Sequence, residues 1–128
     1  MKGLGSLGAV AAAALLLVAL GGASRPTVLA NIDGGLWEVA GAPGGPKRLC
    51  VPEPTALSQF EHRSSKCTRE TVRDTPLLAE IHYSCSAGGF GQSTISAVTP
   101  RSLRIETQGI SAEGPFHYVL QARRIGNC

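Results

Sequence analysis

The chain has 128 residues, of which 43% are hydrophobic and 16% charged, with a formal net charge of +3. Two of its 12 basic residues, Lys2 and Arg25, precede Asn31, so from there on ten basic side chains face nine acidic ones. That near-neutral balance excludes the dense basic face that nucleic-acid binding requires, and no nucleic-acid partner is expected. Arg101, Arg104, Arg123 and Arg124 concentrate in the last third, but Glu106 and Glu113 dilute them, as on a solvated strand face.

The first element is a leader. Met1-Lys2-Gly3 is a short positive start, an apolar run follows from about Leu7 to Leu20, and Gly21-Gly22-Ala23 are small. That order is what secretory machinery reads. The apolar run is roughly 14 residues, short of the ~20 needed to cross a bilayer stably, so no transmembrane segment is expected after cleavage. A retained anchor helix is the alternative. A signal peptide over 1–23 leaves Ser24 first; Val28-Leu29-Ala30 is a second acceptable site and leaves Asn31 first. No cysteine follows at lipobox distance and no paired arginines precede the run. Residues 31–128 then form a single small domain, exported to a periplasmic or secreted location.

A domain of this size buries only about 65% of its unfolded surface and sits near the stability margin. Cystines are the usual remedy in an oxidising compartment. Cys50, Cys67, Cys85 and Cys128 allow two bridges in three connectivities. No Cys-x-x-Cys pair exists, which argues against zinc and against a redox motif.

The elements then follow in order. Gly35-Leu36-Trp37-Glu38-Val39 alternates as a first strand, the Gly- and Pro-rich stretch Gly41 to Pro46 turns, and Arg48-Leu49-Cys50-Val51 resumes. Pro52 and Pro54 stop that strand, and Thr55 can cap a short helix through about His62, with Leu57 and Phe60 on one face. Ala79, Ile81, Tyr83 and Cys85 alternate with polar residues as a half-buried strand, which Gly88-Gly89 breaks. Gln92 to Val98 is the next strand, and Thr99-Pro100-Arg101-Ser102 a turn. Leu103, Ile105 and Thr107 alternate again. The turn Ala112-Glu113-Gly114-Pro115 then leads into Tyr118, Leu120 and Ala122. Strands at this spacing joined by short turns imply an antiparallel meander.

These segments resemble a bacterial family catalogued as domain of unknown function 3617. The likeness rests on Gly35-Leu36-Trp37-Glu38-Val39, Arg48-Leu49-Cys50-Val51, Cys67, Tyr83-Ser84-Cys85 before Gly89-Phe90-Gly91, and the closing Ala122-Arg123-Arg124-Ile125-Gly126-Asn127-Cys128. It covers nearly all of the chain beyond the leader. The resemblance implies a small exported envelope protein and brings no activity, substrate or catalytic residues. The segment Pro100-Arg101-Ser102-Leu103-Arg104-Ile105 is more cationic than the Met- and Thr-rich middle strands of that family.

Candidate sites are sparse. His62, His82 and His117 lack the helical spacing that sets two imidazoles on one metal, so surface histidines and no metal or other cofactor are expected. Gly88-Gly89-Phe90-Gly91-Gln92-Ser93 lacks the Gly-Lys-Ser/Thr end of a phosphate loop and reads as a hairpin loop. No Gly-x-Ser-x-Gly elbow occurs. Glu70, Glu80 and Glu106 are on strands whose spatial order the sequence leaves open, so a carboxylate pair remains an alternative to surface charges. Trp37, Tyr83 and Tyr118 fall in strands and are needed as core more than as a ligand groove.

The expected architecture is mainly β: a twisted antiparallel sheet of six or seven strands, a partly open, barrel-like meander curled round the 55–62 helix. A closed barrel is the alternative. If Cys67 and Cys85 flank a hairpin turning near Thr75-Pro76-Leu77, they stand opposite each other, Glu70 faces His82, and Cys50 is left for Cys128. In function, the absence of an assembled catalytic constellation favours a non-catalytic binding or structural module of the cell envelope over an enzyme. Its partner would be an envelope protein or lipid, met through Phe90 flanked by Gly89 and Gly91, because an aromatic between glycines is hard to bury. Two alternatives are a small envelope hydrolase using His82 or His117 as base and a secreted protease inhibitor presenting a bridged loop.

Overall fold

Alternation in the sequence becomes alternation in burial: β1 (Gly35–Ala40) and β4 (Leu78–Cys85) each turn every second side chain inward. The computed structural model describes Gly3, Gly5 and residues 25–128; the rest of the expected 1–23 signal segment lies outside the described residues. The remaining strands are β2 (Lys47–Val51), β3 (Cys67–Asp74), β5 (Phe90–Thr99), β6 (Ser102–Ser111) and β7 (Gly114–Gly126). All seven join one antiparallel sheet in the order β2-β1-β7-β6-β5-β4-β3. β2 and β3 are its two edges, so the sheet is open.

From β3 to β7 the chain is a meander, each strand pairing with its successor. β1 instead pairs with the last strand, Glu38 opposite Arg123 and Val39 opposite Ala122. The chain must therefore cross from edge β2 to edge β3, and the 3-10 helix Pro54–His62 makes that crossing over the sheet's inner face. Leu57 and Phe60 of this helix are buried in one core cluster with Trp37, Ile81, Ile95 and Leu120. The sheet and helix thus share one core, as a half-buried antiparallel sheet requires.

The helix cap differs from the sequence expectation. Glu53, not Thr55, caps the helix: its carboxylate accepts from the Thr55 amide (3.3 Å) and hydroxyl (3.0 Å). The longer side chain reaches back over Pro54, which occupies the first helical position and has no amide to offer. Burial alone would raise the Glu53 carboxyl, but the bonds from Thr55 and the neighbouring Arg25 carry it below the ordinary range. The helix also breaks at Gln59, whose backbone leaves helical geometry. The Gln59 amide donates to the carbonyls of His62 (3.1 Å) and Ser65 (3.2 Å), and its oxygen accepts from Arg69 on β3 (2.8 Å). Under the helix, the Ser93 hydroxyl donates to the Ser58 carbonyl and shares a hydrogen bond with Thr107 (2.7 Å). A buried polar pair is tolerated here because each member has a partner.

Residues ahead of Asn31 also belong to this core. A short 3-10 turn at Thr27–Leu29 buries Val28 and Leu29, and Arg25 pairs with Glu53 at 2.9 Å. Its contacts are with β4 and β5.

Both disulfides form in the expected connectivity, Cys50–Cys128 and Cys67–Cys85. The hairpin of β3 and β4 turns at residues 75–77 and sets Cys67 opposite Cys85 and Glu70 opposite His82. With no free cysteine among the described residues, the pair of bridges suits an oxidising compartment. Among the described residues no helix is long and apolar enough to cross a membrane.

Candidate functional site

The loop expected to carry the site, between β4 and β5, is built on two left-handed glycines. Gly88 and Gly89 have φ of 99° and 93°, and the Cys85 amide closes the loop on the Gly89 carbonyl at 3.0 Å. Phe90 opens β5, pairs with Ile110 of β6, and is 55% exposed on the sheet's outer face.

The flanking glycines face inward. A Cβ on Gly89 would overlap the His62 ring, and one on Gly91 would lie 2.6 Å from the Tyr83 ring. Gly91 is buried, and opposite it stands Gly109, over which the Phe116 ring lies. The glycine pair lets the Tyr83 and Phe116 rings come close to the backbone. Of the three loop residues, Phe90 is the one that offers a side chain to solvent.

His62 lies buried at the centre of this aromatic group, which corrects the expectation of a surface histidine. Its Nδ1 is 2.8 Å from the Tyr83 hydroxyl, and its ring packs edge-on to Tyr83 and tilted to Phe116. The 3-10 helix ends at His62, and the missing side chain at Gly89 makes the space it fills. The His62 Nε2 is buried without a partner. Burial, and then the charge of Glu61, push the Tyr83 phenol well above its ordinary value, so it stays neutral. The same two causes, with Glu113, raise the half-buried Tyr118, which stacks on Phe116. Trp37 is fully buried, as expected of a core residue.

On the outer face a shallow trough of about 600 Å³ lies beside Phe90, across the strands that carry Gly91 and Gly109. Consecutive cross-strand partners line it in a row: His82 on β4, Gln92 on β5, Gln108 on β6 and His117 on β7. Both histidines lie on the polar phase of their strands. His82 Nε2 meets Glu80 at 3.0 Å rather than Glu70, its partner in register, and His117 Nε2 meets Glu106 at 3.2 Å. Glu106 also pairs with Arg104 at 3.5 Å. An apolar row, Phe90, Ile110 and Pro115, closes the trough at the sheet's end.

Chemically, the trough offers amides and imidazoles for hydrogen bonding beside an apolar edge. Among the described residues, the only side-chain hydroxyl hydrogen-bonded to a histidine is that of Tyr83, on the inner face. Ser93, the buried strand serine, is bound to Ser58 and Thr107 instead. Glu80 and Glu106 share the outer face with Thr94 between them, so their backbones are two strand spacings, about 9.6 Å, apart. No group of three or more His, Cys, Asp or Glu side chains is placed to hold a metal among the described residues.

In comparison with known proteins, the chain matches no family model, no curated protein and no solved structure.

Proposed function

We propose that this chain is an exported, non-catalytic binding or structural module of a bacterial cell envelope, of the kind its likeness to the domain 3617 family implies. It meets an envelope component through the outer-face patch centred on Phe90. The exposure of Phe90 beside Ile110 and Pro115 carries this reading. A large ring left in solvent at the rim of a trough, when neighbouring rings are packed inward, supports a contact surface. The two disulfides support export to an oxidising compartment.

The same reading has the leader removed after Ala23. Cleavage after Ala30 would strip Val28 and Leu29 from the core.

The experiment is Phe90→Ala in protein purified from its own envelope and examined by native mass spectrometry. The variant keeps its thermal midpoint and loses the co-purifying component. A large fall in midpoint would make Phe90 a core residue and end this assignment.

The His82–Glu80 contact supports a second reading, a small hydrolase, since a carboxylate orients a histidine base in this way. Turnover on an esterase and glycosidase panel, abolished by His82→Ala, would replace the binding reading.

A further inference from the structure

We propose that the sheet end carrying Leu77 and Val98 is a docking surface for an anionic lipid bilayer. It lies at the opposite end of the sheet from Phe90 and holds or fails independently of the reading above.

Leu77 and Val98 are the most exposed large hydrophobic side chains among the described residues, at 79% and 64%. They project from neighbouring strands. Leu78 is the register partner of Ser96, so Leu77, in the β3–β4 turn, stands beside the end of β5, where Val98 bulges between Ala97 and Thr99. Leu77 is not demanded by its turn, where Gly, Asn, Asp or Ser would serve, and Val98 sits at a bulge near the end of β5. The Leu77 turn and the β5–β6 turn that follows Val98 are each held by their own bonds. Thr75 Oγ1 accepts from the amides of Leu77 (3.3 Å) and Leu78 (3.1 Å), and Thr99 Oγ1 accepts from Arg101 (3.1 Å). The apolar tips are therefore presented on a bonded turn and a strand end, and binding need not order them.

Arginines flank the tips. Arg73 on β3 lies to one side and Arg101, in the β5–β6 turn, to the other, and both are exposed. Neither makes an ion pair among the described residues, whereas Arg25, Arg48, Arg104 and Arg123 each meet a carboxylate. Two acids lie nearby: Asp74 accepts from the Thr27 amide at 2.9 Å, and Glu80, the register partner of Arg73, is held by His82 at 3.0 Å. Asp33 leads into β1, three strands away from β5. Protruding apolar tips between arginines that make no ion pair among the described residues complement a surface of anionic headgroups over hydrocarbon. Because the tips project instead of enclosing a recess, a bilayer fits them better than a peptide does.

The start of the described fold lies at the same end: the Thr27–Asp74 bond fixes the segment from Arg25 onward at the base of the Leu77 turn.

The test is co-sedimentation of the purified exported chain, begun at Ser24, with vesicles of phosphatidylcholine, with and without phosphatidylglycerol. Wild type sediments with the anionic vesicles, and added salt weakens it. Leu77→Ser with Val98→Ser lowers the partition coefficient about tenfold. Arg73→Gln with Arg101→Gln lowers it about tenfold or more and flattens the salt dependence. Lys66→Gln, at the other end of β3, leaves it unchanged. Unaltered thermal midpoints verify that each variant folds. Absence of binding, or binding that survives both double substitutions, overturns the proposal. A concentration-dependent dimer in light scattering, lost with the Leu77 and Val98 changes, overturns it in favour of self-association.

Discussion

The Nδ1 of His62, at the end of the 3-10 helix, and the hydroxyl of Tyr83, on β4, are 2.8 Å apart and join the crossing segment to the sheet. Three rings and two inward-facing glycines are arranged round that bond. Because the His62 Nε2 already lacks a partner, losing the Tyr83 hydroxyl would leave the whole imidazole unsatisfied.

Tyr83→Phe should therefore destabilise the protein by about 1–3 kcal/mol, the cost of an unpaired buried polar group, measured by urea unfolding. It should also change the alkaline limb. The folded phenol is raised by burial, while the unfolded one ionises near pH 10. A raised acid contributes stability that is complete below about pH 10 and declines as pH rises toward its folded value. Wild type should lose midpoint over that range more steeply than the Phe variant. Parallel curves would remove the buried phenol as the cause.

The two bridges should contribute unequally. Cys50–Cys128 spans 78 residues and Cys67–Cys85 spans 18, so loop-closure entropy gives about 4.5 and about 3 kcal/mol respectively. Paired Cys→Ala variants, compared by urea midpoint, should rank in that order. A larger loss from the short bridge would mean that the edge strand β3 depends on it for more than closure.

Leu29 is fully buried although it precedes the first strand. Leu29→Ala should cost about 2–5 kcal/mol, like other large core truncations, and a chain begun at Asn31 should lose at least as much. Mass spectrometry of the exported protein should find Ser24, not Asn31, at its start. An Asn31 terminus on a fully stable protein would contradict both expectations.

Glu53 supplies the acid-side prediction. Its depressed carboxyl stabilises the fold above the unfolded value near pH 4.3, and that contribution is lost as pH falls through the lower folded value. Glu53→Gln, which cannot ionise, should lower the midpoint at neutral pH and show a shallower decline below about pH 5. Identical slopes would assign the acid transition to other carboxylates.

Strand positions were legible because the inward face alternates strictly: Ala79, Ile81, Tyr83 and Cys85 could only be one side of a sheet. The disulfides followed from the same register, since a hairpin turning at Thr75 to Leu77 puts Cys67 opposite Cys85. Sheet order was not legible, because the pairing of β1 with β7 depends on contacts between opposite ends of the chain, which local periodicity does not encode. The burial of His62 was hidden for a related reason: the space for its ring is created by the absence of a side chain at Gly89, far along the chain. The cap failed at shorter range. Thr55 has the usual capping side chain, but Pro54 shifts the start of the helix, and Glu53 reaches across it. On the candidate site, the glycines suggested an exposed Phe90, but the row of His82, Gln92, Gln108 and His117 required the register of four strands.

Placing the first strand beside the last has a kinetic corollary. A chain delivered N-terminus first presents Cys50 and Cys67 while Cys128, the last of the four cysteines, is still to come. The β1–β2 hairpin has no strand to dock on until β7 arrives, so it waits unpaired, and two-stranded hairpins alone are marginal. An oxidant acting during delivery should then join Cys50 to Cys67 first, and native bridging should need a thiol–disulfide exchange step. Pulse-labelled chains trapped with a thiol-blocking reagent and separated without reduction should pass through that mispaired form. Direct appearance of the native pair would place oxidation after completion of the sheet.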